Sequence, residues 1–79
     1  MKLRDLNEKL NSFKTFVNYF EVIKTKFKEG KISVEEFIDY NISLYNRRCA
    51  FTNLFYKFEE VFTTELNFNR KNLYELLNY

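Results

Sequence analysis

The sequence predicts an all-α protein: a long antiparallel helical hairpin, residues 3–29 and 34–64, closed by a short C-terminal helix at residues 70–78. Three observations predict it. Apolar residues recur at alternating three- and four-residue spacings along two long stretches. A helix stop and a helix start lie side by side between those stretches. The chain has one glycine and no proline, so nothing else breaks either stretch.

In the first helix, Leu3, Leu10, Val17 and Lys24 form one column of seven-residue positions, and Leu6, Phe13, Phe20 and Phe27 form the other. The two columns make a seam along one face of a helix about 40 Å long at 1.5 Å per residue.

The turn KEGKISVEEF, residues 28–37, reads as punctuation. Gly30 suits the left-handed position beyond a helix end, where a Cβ is penalised. Lys24, Lys26 and Lys28 precede it, where the partial negative charge of a helix C-terminus favours cations. Ser33 fits an N-cap with Glu36 completing a capping box, and Ile32 and Phe37 occupy the staple positions. Glu35 and Glu36 suit the first-turn dipole. The letters of GKISVEEF resemble the G-x-I-T-x-E-E-F turn of a short bacterial oligomerisation motif, with Gly30, Ile32, Ser33, Glu35, Glu36 and Phe37 matching and Ser33 in place of Thr. The helices here are longer than that motif's, and the matching letters are the capping residues themselves, so the turn assigns no family.

The second helix repeats the seam. Phe37, Leu44, Phe51 and Phe58 form one column, and Tyr40, Arg47, Leu54 and Val61 form the other. Folding at the turn brings the columns into register: Phe27 meets Phe37, Phe20 meets Leu44, Phe13 meets Phe51 and Leu6 meets Phe58. The other columns pair Lys24 with Tyr40, Val17 with Arg47, Leu10 with Leu54 and Leu3 with Val61. Two patterns that agree under one fold support each other. Near Asn67 the pattern stops. Asn69 reads as the next N-cap, with Phe68 and Leu73 as its staple. The apolar face of the last helix, Leu73, Leu76 and Leu77, is expected to dock on Phe55 and Phe62.

Composition narrows function by exclusion. The chain has no histidine, a single cysteine and a single glycine. The usual general base, a zinc ligand set and a glycine-rich phosphate loop are therefore missing, and no catalytic residue, metal site or cofactor is expected. Glu35, Glu36 and Asp39 have a sufficient role at a helix N-terminus. Lone Cys49 points to a reducing compartment. No apolar run reaches the roughly 18 residues of a membrane span, and the N-terminus lacks a signal-peptide core, so a cytoplasmic protein is expected. The wealth of Phe, Tyr, Ile, Asn and Lys over Gly, Ala, Arg and Pro follows A/T-rich codons, pointing to a low-GC bacterium or its phages or plasmids.

Three groups remain as candidate sites. Phe16, Tyr19, Val22 and Ile23 on the first helix, and Ile38, Ile42 and Tyr45 on the second, widen the apolar arc beyond what one facing helix covers. They are expected to form one hinge-proximal patch for a protein partner, with a homodimer as the simplest case. Arg47 and Arg48 interrupt the second seam. Arg47 is expected to pack its stem opposite Val17 and pair with Glu21, or else to anchor a partner's carboxylate or phosphate together with Arg48, with a helix break at this point as the third reading. Lys24, Lys26, Lys28 and Lys31, with Arg70 and Lys71, are the basis of a nucleic-acid alternative, diluted by neighbouring acids and by a net charge of only +2. The format resembles small phage or plasmid accessory proteins and bacteriocin-immunity proteins. The expected function is a non-enzymatic protein-binding inhibitor or regulator.

Overall fold

The structure is a computed structural model and describes residues 1–78. It contains α1 (Leu3–Lys28), α2 (Val34–Lys57), α3 (Glu59–Thr64) and α4 (Arg70–Leu77), with no strand among the described residues. Helices α1 and α2 form the antiparallel hairpin, which sets the long dimension of a body measuring 43 × 19 × 17 Å. The predicted register is visible in the rings. Phe27 stacks on Phe37 with centroids 4.2 Å apart, and Phe13 stacks on Phe51 at 4.9 Å.

The turn is built as its residues dictate. The Lys31 N–H reaches the Lys26 carbonyl at 2.8 Å and the Gly30 N–H reaches Phe27 at 3.0 Å, the two bonds of a Schellman motif. Gly30 sits at φ +72°, and a Cβ there would meet nothing within 4 Å. Gly30→Ala therefore carries only the cost of the left-handed backbone, and urea titration should register a loss of about 1–2 kcal/mol. The Ser33 hydroxyl oxygen accepts the Glu36 N–H at 3.1 Å. The reciprocal half of the expected capping box is replaced, because the Glu36 carboxylate accepts a hydrogen bond from the Ser33 hydroxyl at 3.4 Å rather than from a backbone N–H.

The second helix is not continuous to residue 64. It ends at Lys57, and Phe58 leaves helical geometry at φ −123°, ψ 32°, with its N–H shared between the Leu54 and Phe55 carbonyls. Eleven residues of straight helix would separate Phe51 from Phe62 by about 16 Å, yet their ring centroids are 5.7 Å apart. Helix α3 thus turns back across α2. Energetics favour the break: burying one Phe is worth about 1.5–3 kcal/mol, against about 0.5–1.5 kcal/mol for one helical hydrogen bond. Phe62 is fully buried as a result. Leu3, expected to meet Val61, stays exposed, while Val61 packs half-buried against the core.

A second reversal follows at Asn67, φ 52°, a left-handed position that asparagine tolerates better than most residues. It drops Phe68 among Phe51, Phe55 and Phe62, with centroids 5.9–6.2 Å from each. Helix α4 starts on a reciprocal cap between Asn69 and Asn72. Its Leu73 is fully buried, so the expected docking on Phe55 and Phe62 is realised through Phe68 and Leu73 in one core. Outside that core, Arg70 donates two bonds to the Glu59 carboxylate at 2.6 and 3.0 Å, and the Tyr56 and Tyr74 hydroxyls meet at 3.1 Å. The bonds from Arg70 hold the Glu59 carboxyl below the usual glutamate range.

Candidate functional site

The expected hinge-proximal patch divides into parts that do different things. Ile23 is 1% exposed and belongs to the core, a correction to its expected place on the surface. It flanks the α1 seam one turn beyond Phe20, where it is enclosed together with Phe20 and Val17. Phe16 is half-buried beneath the Arg47 guanidinium, which lies 4.2 Å from its ring centroid. Tyr19 sits edge-on to Tyr40 at 6.2 Å, and its phenol is the main influence raising the Tyr40 hydroxyl above the ordinary tyrosine range.

Ile38, Ile42 and Tyr45 stand elsewhere. At 100° per residue they lie about 150° around α2 from its seam, on the outer face. With Val34 they form a stripe of four apolar side chains, each 49–65% exposed. The stripe continues through Cys49, which is exposed, and Thr52 without meeting a charged residue. The structure therefore offers a single-helix stripe on α2, not one patch shared by the two helices.

The arginines also differ from expectation. Glu21 pairs with Lys24 on its own helix at 3.1 Å, leaving Arg47 to the Phe16 face. A partner three residues along the same helix is closer to hand than one across the hairpin. Because Arg47 is exposed, its charge keeps its water and needs no buried counter-ion. Arg48 is half-buried beside it.

Arg47 also borders a cleft of about 320 Å³ between α1 and α2, lined by Lys9, Ser12, Phe13, Arg47, Ala50, Phe51 and Leu54. None of these residues comes from α3 or α4. The C-terminal segment covers the opposite flank, where Lys14 lies over the Phe68 ring. The cleft exists because Ser12 and Ala50 are too small to fill the space beside the seam. Sequence reasoning missed it, and the available signal was the position of Ala50, the only alanine in the chain.

The basic residues do not form one patch. Lys24 faces Glu21, Lys31 faces Glu29 at 3.6 Å, and Arg70 is held by Glu59. Lys28 and Lys71 are exposed and Lys26 is half-buried. Among the described residues no three His, Cys, Asp or Glu side chains are grouped to hold a metal ion, and no helix is long and apolar enough to cross a membrane. No protein-family model matches this chain, and comparison with curated proteins and with solved structures gave no match.

Proposed function

We propose that this chain is a small, non-enzymatic protein-binding module, an inhibitor or regulator that works by occluding a partner's surface. The observation that carries the reading is the outer stripe of α2: Val34, Ile38, Ile42 and Tyr45, exposed and uninterrupted by charge. Apolar side chains at helical spacing on an outer face add nothing to the fold of the monomer and suit a contacting helix.

A second copy is the simplest partner. Two α2 helices laid antiparallel, with a two-fold axis between Ile42 and Tyr45, would set Ile42 on the second copy's Tyr45 and Ile38 on its Cys49. The flanking positions would then oppose Asp39 to Asn46 and Asn41 to Arg48, so no like charges meet. Sedimentation velocity over a concentration series tests this directly. The wild-type coefficient should rise with concentration, while Ile42→Asp should stay monomeric with unchanged helicity. A monomer throughout removes the dimer, and affinity capture with the same two proteins then tests a heterologous partner. Equal recovery by wild type and Ile42→Asp would make the stripe ordinary surface.

The nucleic-acid alternative rests on Lys26, Lys28 and Lys71, because Lys24, Lys31 and Arg70 each face a carboxylate already. A salt-dependent shift of a random duplex would restore it.

A further inference from the structure

The cleft between α1 and α2 is a second surface, on a face the α2 stripe does not share. Its floor is apolar: half-buried Leu54, with Phe13 and Phe51, only 4% and 5% exposed, beneath it. Its two charged lining residues, Lys9 and Arg47, are both cations, and no ion pair occupies either among the described residues. The Arg47 guanidinium is held over the Phe16 ring, which orders the side chain before any partner arrives.

Charge and shape together select the occupant. At about 320 Å³ the cleft lies at the small end of the roughly 300–1,000 Å³ range of small-molecule sites. That size accommodates one or two anchoring side chains. A phosphate backbone would satisfy the cations but would leave the half-buried Leu54 without apolar cover. An apolar side chain with a carboxylate nearby satisfies both. Asp5 and Glu8 line a neighbouring hollow with Lys9, so the field at that end is mixed. The purely cationic end is at Arg47, which fixes where the partner's acid belongs.

We infer that this cleft receives an acidic amphipathic helix of a partner protein, seating an apolar side chain on Phe13, Phe51 and Leu54 and directing a carboxylate to Arg47. This rests on the reading of the chain as a protein-binding module but uses a surface separate from the α2 stripe.

The test titrates the full ¹⁵N-labelled chain with three synthetic helical peptides. They share leucines at helical spacing and carry Glu, Gln or Lys at the flanking positions. The Glu peptide moves the amide resonances of Ser12, Phe13, Ala50 and Leu54. The Gln peptide binds roughly tenfold more weakly, and the Lys peptide leaves the resonances in place. Ala50→Leu fills the cleft at an exposed helical position with another good helix former, so it abolishes the shifts without unfolding the chain. Arg47→Met keeps the packing on Phe16 and reduces the Glu peptide to the level of the Gln peptide. Ile42→Asp leaves all of this unchanged, so failure here and failure of the stripe are read separately. The inference is overturned if the Glu peptide moves no cleft resonance, if the three peptides act alike, or if a short single-stranded DNA moves the same resonances more strongly.

Discussion

Phe62→Ala is expected to remove about 3–5 kcal/mol of stability, a large share of what a domain of this size holds. A domain of this size holds on the order of 4–12 kcal/mol in total, at 0.05–0.15 kcal/mol per residue. The effect is large because Phe62 is fully buried and touches three other rings: Phe51, Phe55 and Phe68 have centroids 5.5–6.2 Å from it. Truncation opens a cavity with aromatic walls that cannot collapse, since α2 and α3 are both pinned by the same rings. Phe58→Ala, at the half-buried bend, should cost far less. Urea unfolding followed by far-ultraviolet circular dichroism checks both. Similar losses at the two positions would mean that the bend, and not the ring cluster, holds α3 in place.

Leu73→Ala is expected to cost about 2–5 kcal/mol, and the loss should appear locally before it appears globally. Helix α4 has eight residues, too few to persist in water by itself. Leu73 is its one fully buried side chain. The Arg70–Glu59 pair and the Tyr56–Tyr74 contact lie at the surface, where such interactions contribute little. Native-state hydrogen exchange should therefore show the α4 amides losing protection while the central amides of α1 keep theirs. If both fall together, α4 belongs to the same cooperative unit as the hairpin.

Much of the fold was legible because each local signal had only one use. Gly30, Ser33 and Asn69 each mark a helix end, and each is found there in the structure. The seam columns were equally direct, since Phe27 on Phe37 and Phe13 on Phe51 follow from spacing alone. What escaped was long-range competition. No capping residue announces the break at Phe58, which is decided by the burial gained at Phe62 through contacts with Phe51 and Phe68. The candidate surfaces were less legible still. Periodicity places Ile23 and Ile42 alike beyond the seam, but only the packed hairpin shows that Ile23 is enclosed and Ile42 is not. A cleft is an absence of side chain, and Ala50 marks it with a single letter.

The turn-back of α3 has a mechanical consequence. It gathers four phenylalanines at one end of the molecule, Phe51, Phe55, Phe62 and Phe68, while the hinge end holds Phe27, Ile32, Phe37 and Tyr40 only half-buried. By density of buried side chains the aromatic end is the more tightly packed of the two, while Phe20 and Ile23 seal the hairpin next to the turn. Native-state hydrogen exchange should therefore find the highest protection at the aromatic end and faster exchange near Val34, where the exposed stripe begins.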